Sequence, residues 1–193
     1  MNKIYSTKES TFLQVKGYPG LAIMAEKMSE FFPKEIKIYV EPFAGLARTA
    51  KFCVAEKKVL NDLSDYSIKY MRENFPNAEI TQEDYRIVID RYKDNEDVFM
   101  LIDPPWRKNI YKNNALPVCT NTPIEYYDDI LARLRDSKCK WILCVDKDEH
   151  EIGKRVSKSG YKNVVIEHPT RTLFNRKVGV RMAFSSLDKP TDK

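Results

Sequence analysis

The sequence predicts an α/β fold built on a seven-stranded, mostly parallel sheet that is covered on both faces and closes with a C-terminal antiparallel hairpin. Two observations carry this. Five short apolar runs alternate with segments of helical character, the pattern of successive βα steps. After the last helical segment, two further strand-like runs follow one another with no helix between them. The 193 residues suffice for one substantial core but not for two domains with separate cores, so residues 1–193 are read as a single domain.

The strand-like runs are Ile36–Val40, Lys58–Leu60, Ala78–Ile80, Val98–Ile102 and Trp141–Val145, followed by the closing pair Asn163–Glu167 and Val178–Phe184. Apolar character in consecutive positions, not only alternate ones, marks strands buried on both faces. Between them, Ser64 or Asp65 can cap a helix running towards Asn74. Thr122, Pro123 and Glu125 supply an N-cap, a proline at the first helical position and a reciprocal carboxylate, which predicts a helix over Pro123–Arg135. A further helix is expected near Glu149–Lys158, and a basic loop should join the last two strands. On such sheets ligands sit beyond the carboxyl ends of the strands, at the point where strand order reverses.

Composition excludes several function classes. The chain is 42% hydrophobic and 32% charged, with a mean hydropathy of -0.53, and holds no apolar run long enough to span a bilayer. The N-terminal segment Met1–Ser6 lacks the apolar stretch of a signal peptide, so a cytoplasmic location is expected, or nucleoplasmic where a nucleus exists. Cys53, Cys119, Cys139 and Cys144 form no Cys-x-x-Cys pair, and His150 and His168 stand alone, so the cysteines read as reduced thiols and no metal site is expected. A formal charge of +5 permits a polyanionic partner without demanding one.

Chemistry-bearing residues follow the strands. The first ends in Glu41-Pro42-Phe43-Ala44-Gly45-Leu46-Ala47, a tight turn whose small residues let backbone approach a ligand, with a helix expected to follow. The second runs into Asn61-Asp62, where a carboxylate can take hydrogen bonds from ribose hydroxyls; Asp62 could equally precede a helix as a simple cap. The third ends at Thr81-Gln82-Glu83-Asp84, placing an acid that can accept from an adenine amine or merely cap the next helix.

The fourth is the informative one. Val98–Ile102 is followed by Asp103-Pro104-Pro105-Trp106. Prolines forbid further ladder pairing and hold each preceding residue extended, so the Asp103 carboxylate and the Pro104 carbonyl are fixed in direction. Two acceptors facing one point suit a primary amine whose lone pair is drawn towards an electrophile, and the Trp106 ring offers a stacking surface for a base. A strand terminator with a core tryptophan is the structural alternative.

With these residues in view, the chain resembles the adenine-specific DNA methyltransferases whose signature is Asp-Pro-Pro-Tyr or Asp-Pro-Pro-Trp. The likeness covers most of the chain. Tyr39–Gly45 is similar to that family's cofactor turn, Leu60–Leu63 to its ribose-binding acid, Asp84-Tyr85 to its cofactor-adenine acid, Asp103–Trp106 to its catalytic tetrad and Thr172–Lys177 to its closing basic hairpin. The resemblance implies a Rossmann-like methyltransferase fold, S-adenosylmethionine as cofactor and direct methyl transfer to the exocyclic amine of adenine. It implies cofactor contacts from Lys16, Tyr18, Glu41, Phe43, Ala44, Gly45, Asp62 and Asp84, and catalytic roles for Asp103, Pro104, Pro105 and Trp106.

Three departures stand out. Ala47 occupies the place of the family's second turn glycine, Lys16-Gly17-Tyr18 replaces Gly-Gly-Lys, and the interval from Asp84 to Asp103 leaves no room for a target-recognition region once one helix and one strand are built. Phosphate contacts are then expected from Arg107, Lys108 and Lys112 after the tetrad and from Arg171, Arg176 and Lys177 in the hairpin, with DNA or RNA as substrate and a protein partner as a source of sequence specificity. RNA adenine or a cytosine amine would serve the same tetrad. A methyltransferase acting on protein or a small molecule, and a catalytically silent subunit with this fold, are the rival readings.

Overall fold

In the computed structural model, residues 25–105, 123–146, 150–169 and 177–185 are described. Seven strands form one sheet: β1 Ile38–Glu41, β2 Lys57–Asn61, β3 Glu79–Thr81, β4 Val98–Ile102, β5 Lys140–Asp146, β6 Lys162–Pro169 and β7 Lys177–Phe184, in the spatial order β3-β2-β1-β4-β5-β7-β6. Strands β1 to β5 pair in parallel, β7 runs antiparallel to β5, and β6 runs antiparallel to β7. The expected hairpin is therefore present, with its second strand inserted between β5 and β6.

Period-two burial explains why the sheet has two apolar faces. In β4, Val98, Met100 and Ile102 enter one core with Trp141, Leu143 and Val145 of β5, whereas Phe99 and Leu101 enter the other with Ile142 and Cys144. Helices α3 (Tyr85–Tyr92), α4 (Ile124–Leu134) and α5 (His150–Lys158) cover the first face through Val88, Ile89, Ile130, Ile152 and Val156. Helices α1 (Ala25–Ser29) and α2 (Asp65–Asn74) cover the second through Met28, Ile68 and Met71.

Two local expectations are corrected. No α-helix follows the β1 turn; the crossover to β2 contains only a 3-10 turn, Thr49–Phe52. Left-handed backbone at Gly45 (φ 54°) and Ala47 (φ 47°) keeps the chain out of helical geometry until Arg48, and little length then remains before β2. Helix α4 starts at Ile124, because Pro123 has an extended ψ of 152° and so sits at the N-cap position, not inside the helix. Ser64 does cap α2, its hydroxyl accepting from the Ser67 N–H.

Candidate functional site

Strand order places the site. β1 lies between β2 and β4, so the chain winds outward to β3 and then returns to the other side of β1; the crevice at such a reversal lies beyond the carboxyl ends of these strands. Glu41, Asp62, Asp84 and Asp103 all leave the sheet at this edge.

Glu41 is the last residue of β1 and is 4% exposed. Its carboxyl accepts a hydrogen bond from the Tyr39 hydroxyl two residues back on the same face. Burial pushes the Glu41 pKa up to about 8, against the opposing Tyr39 hydrogen bond; the neighbouring Asp103 and Asp62 carboxylates add to the rise and Lys58 lowers it. Glu41 is thus largely neutral at pH 7. Asp103 follows β4, which lies between β1 and β5, and its charge raises both Glu41 and the buried Cys144 thiol of β5. Pro104 is buried, and the Pro105 carbonyl accepts from the Tyr127 hydroxyl at 3.2 Å, tying the tetrad to α4.

The β1 turn is held by Asp62. One carboxylate oxygen accepts the Gly45 N–H and the other the Ser64 N–H, each at 2.8 Å. Burial raises the Asp62 pKa while the two backbone donors oppose the rise. The Ser67 hydroxyl and the Leu63 N–H oppose the rise as well, so the carboxyl is engaged by the turn and by the start of α2.

Asn61, which the sequence suggested only as the flank of Asp62, is the joint of the site. It is 1% exposed, and its amide donates to the carbonyls of Pro42 and Glu83, both at 2.9 Å. Its oxygen accepts the Thr81 hydroxyl and the Glu83 N–H, both at 2.8 Å. All four hydrogen-bonding sites of the side chain are used, and they join the ends of β1, β2 and β3.

Asp84 caps α3, accepting the Arg86 N–H at 2.9 Å, and forms a two-pronged ion pair with the Arg86 guanidinium at 2.8 and 2.7 Å. The Arg86 hydrogen bond holds its carboxyl below the usual carboxylate range. The capping role weighed from sequence is thus real. An adenine amine could still reach the fourth lone-pair site, but only beside Arg86.

Between these acids lies an aromatic trio. Phe43 stands 5.0 Å from Tyr85 and 6.0 Å from Tyr126, and Tyr85 and Tyr126 are 4.5 Å apart, all tilted. Burial pushes the Tyr126 hydroxyl up to about 12, with the Asp84 charge adding to it. Tyr85 is anchored through its hydroxyl to Asp129 at 2.7 Å, and Asp129 is in turn held by Arg133 at 2.9 Å. Tyr126 was missed from sequence; a tyrosine pair at the start of an amphipathic helix was its only signal, and only the sheet topology carries it to Phe43.

No protein-family model and no curated protein matches the chain in sequence. Among solved structures the likeness is one of shape. The tRNA (uracil-54, C5)-methyltransferase of Pyrococcus abyssi, in complex with S-adenosyl-L-homocysteine, superposes with a TM-score of 0.54 at 16% identity, over 84% of this chain and 37% of that one. Precorrin-6y C5,15-methyltransferase from Geobacter metallireducens gives 0.51 at 11% identity over 95% and 90%. Precorrin 8w decarboxylase from Methanobacterium thermoautotrophicum gives 0.52 at 9% over 96% and 93%. The fold is that of the Rossmann-like methyltransferases.

Lys16, Tyr18, Trp106, Arg107, Lys108, Lys112, Arg171 and Arg176 lie outside the described residues, as do Thr122 and the basic loop, while Lys177 opens β7. Among the described residues, no group of three or more His, Cys, Asp or Glu side chains could hold a metal ion, and no helix is long and apolar enough to cross a membrane.

Proposed function

We propose that this chain is an S-adenosylmethionine-dependent methyltransferase acting on the exocyclic amine of adenine in DNA. The observation that carries the reading is the convergence of Asp103 and Glu41 at the strand reversal, next to the turn secured by Asp62. The Asp103 carboxylate and the neighbouring Glu41 carboxyl suit a cationic sulfonium, and the apolar Phe43–Tyr85–Tyr126 trio beside Asp84 suits the flat face of the cofactor adenine. The shape shared with proteins named as methyltransferases, one of them holding S-adenosyl-L-homocysteine, supports the same class.

When bound, the cofactor supplies an electrophilic methyl group. The chain's own part is to orient and to exclude water. Asp103 and the Pro104 carbonyl would accept the two N–H bonds of the target amine, aim its lone pair along the line of attack and stabilise the positive charge it gains. Proline on both sides of the Pro104 carbonyl direction removes backbone freedom that would otherwise be lost on binding. A base in duplex DNA must first leave the stack, and Trp106 would then stack on it.

Ala47 bears on the silent-subunit alternative. It takes the left-handed φ of 47° that a glycine would take there, so the turn keeps its shape despite the substitution. The test is transfer of a tritiated methyl group from S-adenosylmethionine to DNA, RNA and protein in parallel. Label in N6-methyladenine of DNA is expected; label in RNA or protein alone, or none, overturns the assignment.

A further inference from the structure

Glu41 has no step in the orientation of the amine, yet it is the most deeply buried acid at the crevice. Three carboxyl groups, Glu41, Asp62 and Asp103, leave three adjacent parallel strands, and the innermost of them has a tyrosine hydroxyl as its hydrogen-bond donor. Three of the groups around it keep their protons near neutral pH. Tyr39 on β1, Cys53 beyond the 3-10 turn and Cys144 on β5 are kept protonated by burial, which pushes Cys53 up to about 12 and the other two well above their ordinary values. Lys58 on β2 donates to the Ala50 carbonyl at 2.9 Å. Burial raises both Asp62 and Glu41, and Glu41, the more deeply buried of the two and pushed up to about 8, lies close enough to neutral pH to answer a new charge by gaining or losing a proton.

We infer that Glu41 exchanges a proton with solvent as the cofactor turns over, ionised beside the sulfonium and neutral beside the thioether, so that the site distinguishes charged from spent cofactor. This rests on the methyltransferase reading. In that reading the sulfonium must stand close to the amine held by Asp103, and Asp103 already acts electrostatically on Glu41. A unit positive charge held beside these carboxyl groups in a poorly solvated crevice favours the carboxylate form by pairing with it.

The balance closes. Cofactor binding expels one proton from Glu41. In the transfer, the amine lone pair forms the N–C bond, the S–C bonding pair returns to sulfur, and one proton leaves the nitrogen. With the positive charge on sulfur gone, the Glu41 carboxylate regains a proton, and the next charged cofactor releases it again. Product release is favoured, because a neutral carboxyl offers the thioether nothing that the sulfonium did not need more.

Calorimetric titration of the wild-type chain and E41Q with S-adenosylmethionine and with S-adenosylhomocysteine, each at pH 7 in phosphate and in Tris, counts protons through the buffer's ionisation heat. The cofactor's own amine titrates in both proteins, so the wild-type minus variant difference is the reading. A difference of about half to one proton released is expected for the sulfonium, and none for the thioether. Y39F, a near-isosteric change that removes the donor favouring ionised Glu41, should move the sulfonium-linked release to higher pH, and it gives a second reading should E41Q not fold. Equal proton counts in wild type and E41Q, or an unmoved profile in Y39F, overturn the inference while leaving the cofactor assignment standing. Binding of neither compound by the wild-type chain overturns both.

Discussion

Asn61→Ala should cost the protein about 3 to 5 kcal/mol of stability. The magnitude follows from the four bonds the side chain makes: its removal leaves the Pro42 and Glu83 carbonyls, the Glu83 N–H and the Thr81 hydroxyl without their partner in a site 1% exposed. A buried polar group left unpaired costs about 1 to 3 kcal/mol, and the lower end applies where water enters the vacated space or a hydroxyl rotates away. Against a typical total of about 5 to 15 kcal/mol the loss is large. Because the same amide joins the Phe43 turn to the Asp84 segment, cofactor affinity should fall as well. Asn61→Asp should be at least as damaging, since it turns two donors into an acceptor facing two carbonyls and adds a charge beside Asp62. Urea denaturation of both variants with a common slope gives the free energies. A loss under about 1 kcal/mol for Asn61→Ala would show that water replaces the four bonds and that the three strand ends hold together without this residue.

Asp103→Ala should abolish methyl transfer in a tritium assay while leaving affinity for the uncharged thioether product unchanged; near-normal turnover would remove the tetrad from catalysis. Tyr126→Ala opens one side of the aromatic trio and should weaken cofactor binding by about 1 kcal/mol or more, measured by calorimetry, while Tyr126→Phe should be close to neutral. Glu41→Gln should alter the pH dependence of stability. The folded pKa of Glu41, about 8, lies above the unfolded value, so its contribution is fully present below about pH 4.5 and is lost as pH rises towards 8. The variant should therefore gain on the wild type by about 1 kcal/mol per pH unit across that window, as read from denaturant midpoints at pH 5, 6.5 and 8, and parallel profiles would contradict the buried, neutral carboxyl.

Where sequence reading succeeded, burial on both faces had left an unambiguous trace. Val98–Ile102 is apolar at every position and was delimited to the residue, because no polar position exists to blur its ends. The flanking strands shifted by a residue or two, since Glu41, Asn61 and Asp146 are polar yet buried in strand geometry and so read as the start of a loop. The helix expected after β1 failed for a backbone reason: Ala47 adopts a left-handed φ that alanine composition argues against. Asp62 and Asp103 were legible as acids that follow buried strands. Asn61 and Tyr126 were not, because the importance of each comes from partners far along the chain, Glu83 and Thr81 for one and Phe43 for the other, and only the winding of the sheet brings those partners close.

The placement of β7 between β5 and β6 has a consequence for the order of assembly. β6 precedes β7 in the chain but lies outside it, so β6 finds no partner on the sheet until β7 has formed. A nascent chain that has completed β5 and α5 must therefore carry an open edge at Ile142–Asp146 through the synthesis of β6. During that interval the β5 edge, with the fully buried Leu143 and Cys144 among its residues, is the surface most exposed to pairing with a second chain. Slowed translation across β7 would lengthen the risk.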